Sequence, residues 1–355
     1  MTTGFNLSYD TNALVGIVPS LLTSQSWLLD RFFPSLQLSD TEFVSIDIQH
    51  GARRMSPFVS PLVEGKLVEQ LGMRTNVFKP AYIKDKRAPD LLKPVRRMIG
   101  ERLGGELTGQ QRAMANLVME MEDQVSCLTR RLEWMAAQAL QTGSVTTSGE
   151  GFETVSVDFG RNSDLTIANS SGEKWTVANI AAGTADPTLD IEKWQRLMLK
   201  TSGAVATDIV FTTASWAGFL YDQKVKQTVW YAGGGGTSNT VNVGPQIQRG
   251  AVYKGKWGNY DLWVYNDWYL DENNVEQPML TDGNVVLCGP DLMGTRAFAA
   301  IIDPEFNYGA MAFAPKTWVQ QDPAQRLIMM QSAPIVIPSR VNASLCATVA
   351  DAVEE

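Results

Sequence analysis

Apolar and polar residues alternate along this chain with two different periods, and the switches between them mark out its elements. The first forty residues carry short apolar runs, at 14–22 around Pro19 and again at Trp27, Leu28 and Leu29, before Arg31, Phe32 and Phe33 stop at Pro34. This reads as an N-terminal arm that packs on a neighbouring chain or, as a short helix, on its own core. From Phe43 the period is two. Val44, Ile46 and Ile48 alternate with Ser45, Asp47 and Gln49, as in a strand with one face covered. A polar, turn-rich stretch follows, with Gly51, Arg53, Arg54, Pro57, Pro61, Gly65 and Gly72. Extended chain returns over residues 75–82, where Pro80 restricts it to an edge or a strand end. Two extended arms joined by a long irregular tip predict a projecting hairpin. Connections of this length without a core of their own are uncommon in a compact monomer, so the tip is expected to take support from outside the chain.

After Gly104 and Gly105 the period lengthens. Thr108 and Gln111 have the spacing of a capping box. Leu117, Met121, Val125, Leu128, Leu132, Met135 and Ala139 then recur at steps of three and four, which places them on one helical face. No proline or glycine intervenes before Gly143. The pattern predicts a helix over residues 108–141, roughly 50 Å long at ~1.5 Å per residue and longer than most globular helices. Its narrow stripe is compatible with a paired coiled coil and equally with a single spine crossed by strands.

Beyond it, Val155, Val157 and Phe159 read as a short strand, residues 183–187 as a linker, and a helix begins near Asp190 with Ile191, Trp194, Leu197 and Met198 on its apolar side. Residues 209–211 form a short buried strand and 213–221 a helix with Trp216, Phe219 and Leu220. The four glycines at 233–236, followed by Thr237, Ser238 and Asn239, predict a mobile surface loop. They lack the lysine and hydroxyl that a phosphate-binding loop requires. Residues 252–270 are dense in aromatic side chains, including Tyr253, Trp257, Tyr260, Trp263, Tyr265, Trp268 and Tyr269. Leu262 and Val264 fall on one face of this strand and Trp263 and Tyr265 on the other, a pattern expected where both faces are covered. A platform for bases or glycans is the alternative, with only Lys254 and Lys256 nearby to support nucleic acid. Residues 271–274 form a turn and 285–288 a buried strand. Three further strands are expected over 327–330, 333–337 and 344–349, interrupted by Pro334 and Pro338.

Composition narrows the classes of function. The 355 residues suffice for one large or two modest cores, and 44% apolar with 19% charged residues describes a globular protein. A formal net charge of −8 argues against a protein that wraps nucleic acid in a basic surface, but permits one that encloses DNA while touching little of it. Cys127, Cys288 and Cys346 lie far apart without metal-ligand spacing, and an odd, sparse set fits a reducing compartment. The first ten residues lack the basic start and apolar run of an export signal, and no apolar stretch reaches the ~18–20 residues of a membrane span. The expected compartment is the cytoplasm of the producing cell.

Candidate chemistry is sparse. His50, the sole histidine, stands beside Gly51 in a predicted loop without a nucleophile or paired carboxylate, and reads as a surface residue. One histidine and three scattered cysteines assemble no zinc or iron cluster. Asp271, Glu272 and Glu276 read as a solvated turn, since calcium-loop spacing is absent. No catalytic residue, cofactor or metal ligand is therefore assigned. The pairs Arg53–Arg54, Arg96–Arg97 and Arg130–Arg131 are candidates for an electrostatic interface, meeting acids of a neighbouring subunit or DNA phosphate, with ordinary solvated positions as the alternative.

Several stretches, taken in order, resemble one family. They are Val59-Ser60-Pro61-Leu62-Val63 with Glu64-Gly65, Tyr82-Ile83-Lys84, Val157-Asp158-Phe159-Gly160-Arg161, and Lys254-Gly255 with Tyr260. The most distinctive are Thr317-Trp318-Val319 through Asp322-Pro323-Ala324 and then Met330-Gln331-Ser332-Ala333-Pro334. Each is weak alone, and their colinearity carries the likeness. The chain resembles the lambda-like phage major capsid protein E family. The resemblance implies an α+β chain with the HK97-like capsid fold, divided into an N-terminal arm at 1–41, an extended E-loop at 42–89 that overlies an adjacent subunit, a peripheral domain at 90–199 containing the 108–141 spine, an axial domain at 200–316, and C-terminal strands at 317–355 completing the peripheral domain.

The same resemblance implies a virion shell protein that self-assembles in the host cytoplasm into pentamers and hexamers of an icosahedral head around double-stranded DNA. It implies a scaffolding protein, a portal, a maturation protease and in some relatives a decoration protein as partners, and no membrane. Gly51, Gly65 and Gly72 become candidate hinges for the loop during shell expansion. Competing readings are an encapsulin-like shell, a soluble enzyme, which would be a small oligomer with a concave polar site, and an aromatic-strand binding module.

Overall fold

The computed structural model describes residues 26–50, 55–67, 72–89, 108–149, 151–231, 240–242, 250–271, 273–322 and 325–352. Gly51, Arg53, Arg54, Arg96, Arg97, Glu272, the glycine run at 233–236 and residues 1–25 of the expected arm lie outside them. In chain order the first elements are α1 (Trp27–Phe32), β1 (Ser35–Leu38), β2 (Val44–His50), β3 (Gly72–Phe78), β4 (Ile83–Arg87) and α2 (Gly109–Thr142). Then come β5 (Ser144–Gly149), β6 (Phe152–Asp158), β7 (Thr166–Ala168), α3 (Val177–Ala182), α4 (Pro187–Ser202), β8 (Asp208–Phe211), α5 (Thr213–Tyr221) and α6 (Gln223–Tyr231). The remainder is β9 (Thr240–Val241), β10 (Gly250–Trp257), β11 (Tyr260–Asn266), β12 (Trp268–Leu270), β13 (Glu276–Pro278), β14 (Asn284–Cys288), β15 (Gly294–Phe298), β16 (Ala314–Gln320), β17 (Gln325–Ser332), β18 (Pro334–Pro338) and β19 (Leu345–Thr348).

The long helix α2 starts and stops where its sequence dictates. The Thr108 hydroxyl accepts from the Gln111 backbone N–H at 3.3 Å, and the Gln111 side-chain oxygen accepts from the Thr108 N–H at 2.8 Å. These bonds satisfy two amide donors at the helix entrance. At the exit Gly143 turns left-handed at φ +73°, and its N–H donates to the Ala139 carbonyl. Arg161 donates to the Leu140 carbonyl at 2.7 Å and to the Gln141 carbonyl, supplying partners for the last turn. The apolar stripe of α2 packs on β17, β18 and α1, so the chain's own elements cover it and no second long helix is needed.

A seven-stranded mixed sheet, ordered β7-β19-β14-β8-β11-β10-β9, divides the interior into two cores. Successive strand residues face opposite sides. Val210, Tyr265, Val286, Cys288 and Cys346 join the core that holds α1 and α2. Ile209, Phe211, Leu262, Val264, Val285, Leu287, Leu345 and Ala347 join the second core, under Trp175, Trp194, Trp216 and Phe219. This explains the large side chains on both faces of β11: Tyr265 is buried, and Trp27 and Tyr253 each pack against Trp263 with ring centroids 4.9 Å away. Two three-stranded sheets, β1-β15-β18 and β16-β17-β4, tie the N-terminal segments to the C-terminal strands.

Three expectations shift. His50, expected in a loop, is the last residue of β2 and pairs with Gly72, the first of β3, because the ladder runs on past the alternating residues. The expected linker at 183–187 ends in a helix start: Asp186 caps α4 by accepting from the Leu189 N–H at 3.0 Å, and Pro187 takes the first helical position, where its missing N–H costs nothing. The prolines thought to interrupt a C-terminal strand instead bound one, with Pro334 and Pro338 as the ends of β18.

Candidate assembly surfaces

The hairpin built by β2 and β3 is held firmly at its base, and the described stretch between its strands, residues 55–67, is exposed. Val44 and Phe78 are buried at the first rung, and Phe78 packs edge-on against Phe159 at 5.5 Å. Lys79 pairs with Glu42. The returning strand β4 is fixed on the long helix: Arg87 bridges Asp85 at 3.0 Å, Glu120 at 3.4 Å and Asp123 at 2.5 Å, and Gln124 donates to the Asp85 carbonyl at 2.9 Å. Burial alone would lower the Arg87 pKa, and the Asp85 and Asp123 bonds outweigh it and raise it.

Residues 55–67 have no such support. Phe58, Leu62 and Leu67 are 104%, 96% and 99% exposed, and Met55 and Val63 are also open to solvent. This is an apolar stretch with none of the described residues over it, the condition expected of a segment whose partner is another molecule. Gly65 lies within it, with nothing inside 4 Å of where a Cβ would stand. Gly72 opens β3 as a paired strand residue. Of the three candidate hinge glycines, Gly65 is the one described in a free stretch.

The N-terminal helix α1 packs on its own chain. Leu28, Leu29, Phe32 and Phe33 are buried against α2, so over this part the arm is docked in cis. Two carboxylates that sequence reasoning missed hold it. Glu133, 2% exposed, accepts from the Leu28 and Leu29 N–H groups at 2.8 and 3.0 Å and from the Tyr265 hydroxyl at 3.0 Å. Burial raises its pKa to about 7, against the lowering effect of those three bonds and with a further push from Asp267. Asp208, fully buried at the head of β8, accepts from Arg31 at 2.8 Å, from the Trp263 indole N–H at 3.0 Å and from Thr207 at 2.7 Å. A further polar knot joins Asp303 to Lys316 at 2.8 Å and to Gln331 at 3.0 Å, with Tyr82 donating to Gln331 at 2.8 Å. Burial acts to raise the Asp303 pKa, and the Lys316 and Gln331 bonds bring it below its usual value. The sequence signal for Glu133 is its place on the flank of the helical stripe, one turn after Thr129; Asp208 has none, since its partner Arg31 is 177 positions away.

Arg130 and Arg131 come together at one place, a groove of about 400 Å³ between α2 and the β12–β13 hairpin. Arg131 lies over the Trp134 ring at 5.4 Å. Among the described residues, no group of three or more histidine, cysteine, aspartate or glutamate side chains is placed to hold a metal.

Comparison with known proteins gives these surfaces their context. The family described as Phage major capsid protein E matches residues 10–349. The chain is 30% identical over 333 residues to the major capsid protein of Escherichia phage N15, covering 93% of this chain and 95% of that one. It is 31% identical over 313 residues to that of Escherichia phage lambda, covering 87% and 89%. Among solved structures, a prophage capsid protein from Escherichia coli CFT073 superimposes with TM-score 0.71 at 21% identity over 96% of this chain and 99% of that one. A phage-related protein from Bordetella bronchiseptica RB50 does so with TM-score 0.54 at 11% identity, over 96% and 97%. The fold is the HK97-like capsid fold, and the chain belongs to the phage major capsid protein E family.

Proposed function

We propose that this capsid-forming chain assembles into pentamers and hexamers of an icosahedral head that encloses packaged double-stranded DNA. Residues 1–41 act as the N-arm, 42–89 as the E-loop, and the long helix as the spine of a peripheral domain spanning 90–199 and completed by 317–355. Residues 200–316 supply the axial domain around the five-fold and six-fold positions. The observation that carries this reading is the bare apolar stretch at 55–67, mounted on a hairpin whose base is pinned by Phe78, Lys79 and Arg87. A rigid mount and a greasy, unsupported tip make a contact that needs a second copy. When the same donor surface meets the same acceptor surface around an axis, the contact is heterologous and closes into rings.

A scaffolding protein, a portal, a maturation protease and a decoration protein are the partners this role calls for. Assembly would take place in the host cytoplasm and end in the virion. Electron microscopy of the purified chain, with and without its scaffold, tests the reading: rings and closed shells are expected. A uniform dimer under every assembly condition would overturn it.

A further inference from the structure

Cys127, Arg130, Arg131 and Trp134 share one face of the long helix by their i, i+3, i+4, i+7 spacing, and they form one wall of the groove closed on the other side by Tyr269 and Leu270. The Trp134 indole donates to the Tyr269 hydroxyl at 3.2 Å, which spans the two walls. Leu270, which lines the groove, is 60% exposed and offers an apolar surface beside the Trp134 ring.

The charges in this groove are unbalanced. Arg87, which reaches the same helix from strand β4, is saturated by Asp85, Glu120 and Asp123. Arg130 and Arg131 meet no carboxylate among the described residues; Arg131 has only the Trp134 ring. The groove's own acid, Asp271, spends one oxygen on the Asn273 and Val275 N–H groups at 2.8 and 2.9 Å. The site therefore suits an aliphatic side chain followed closely by a carboxylate. A guanidinium half-shielded by an aromatic ring binds a carboxylate more strongly than one in open water.

The chain carries such a ligand. Leu62, Val63 and Glu64 follow one another in the bare stretch, all exposed and none among the residues lining the groove of their own chain. We propose that the Leu62-Val63-Glu64 stretch of a second copy seats in this groove, with Leu62 against Trp134 and Leu270 and Glu64 between Arg130 and Arg131. This rests on the assembly reading above and adds the place where the loop lands.

The proposed seat can be tested by cross-linking across it, and Cys127, half-buried at the groove whereas Cys288 and Cys346 are buried, reports whether the groove is covered. Shells of the full-length Leu62→Cys/Leu270→Cys variant in a Cys127→Ala background, treated with a mild oxidant, should give a ladder of disulfide-linked chains on non-reducing gels, because the proposed seat puts positions 62 and 270 in contact; the ladder should vanish when Leu270 is kept. Glu64→Arg should cut shell yield by about tenfold or more, and Arg130→Glu with Arg131→Glu should restore it. Position 62 and position 64 are exposed, so neither change disturbs the fold, which circular dichroism checks. Wild-type shells that form while Leu62→Cys/Leu270→Cys shells yield no ladder overturn this docking and leave the assembly reading standing. A wild-type chain that forms no shell overturns both. Protection of Cys127 from alkylation only in DNA-filled heads identifies phosphate as the occupant and also overturns the proposal.

Discussion

Glu133 sits where a carboxylate is costly to keep charged, and that cost has a direction. Burial raises its pKa from 4.5 to about 7. Between those values the folded chain holds a proton that the unfolded chain has released. The folded state thus binds more protons, and stability falls as pH rises through that window. The contribution is fully present below about pH 4.5 and gone above about pH 7, a swing of ~3 kcal/mol at ~1.4 kcal/mol per pKa unit. Glu133→Gln cannot titrate, so urea unfolding at pH 5 and pH 8 should show a smaller loss of stability in the variant than in the wild type. Equal slopes in the two proteins would sink the assignment. Such residues are hard to find from sequence because their partners are distant. Leu28 lies 105 positions from Glu133, and neither position advertises the other. The reverse holds for Arg53, Arg54, Arg96 and Arg97: the sequence draws attention to them by charge, while they lie outside the described residues.

At the scale of the element, α2 was the most legible part of the chain. Its stripe, its capping box and its terminating glycine all act within a few residues of one another, and local rules suffice for them. The ends make a graded pair of predictions. Thr108→Ala removes one cap bond at an exposed end and should cost ~1 kcal/mol. Gly143→Ala should cost more, since a Cβ there would stand 2.6 Å from the Arg161 Cβ on a backbone held at φ +73°. The displaced Arg161 would also give up the Leu140 and Gln141 carbonyls. Thermal unfolding of both variants checks the order, and a Gly143→Ala protein as stable as Thr108→Ala would refute it. Strand β1 was illegible for the opposite reason. Ser35–Leu38 is exposed at every position and exists because it pairs in parallel with β15, some 260 residues later, so no alternation marks it. The groove between α2 and the β12–β13 hairpin was invisible on the same grounds; only Arg130 and Arg131 hinted at it.

The whole molecule joins parts with different mechanical duties. Its two cores share the seven-stranded sheet, so β8, β11, β14 and β19 are gripped from both sides. The 55–67 stretch is gripped by neither. A shell subunit that must keep its contacts while neighbours rotate needs compliance somewhere, and a loop supplies it at low cost in stability. Gly65 is the described glycine best placed to provide it, because its surroundings are open and no paired strand restrains it. Gly65→Ala adds a methyl group into empty space and should leave shells able to form and expand. Gly65→Pro fixes φ and pushes Glu64 toward extended conformations. Shells of that variant should assemble and then expand more slowly or stop short, as read by electron microscopy of particle diameter. The Leu62→Cys/Leu270→Cys cross-link, made in unexpanded shells of the same variant, separates a stiffened loop from a lost contact: the ladder should persist while expansion fails. Expansion of Gly65→Pro shells at the wild-type rate would move the hinge away from Gly65, to the ends of the hairpin where the loop leaves β2 and enters β3.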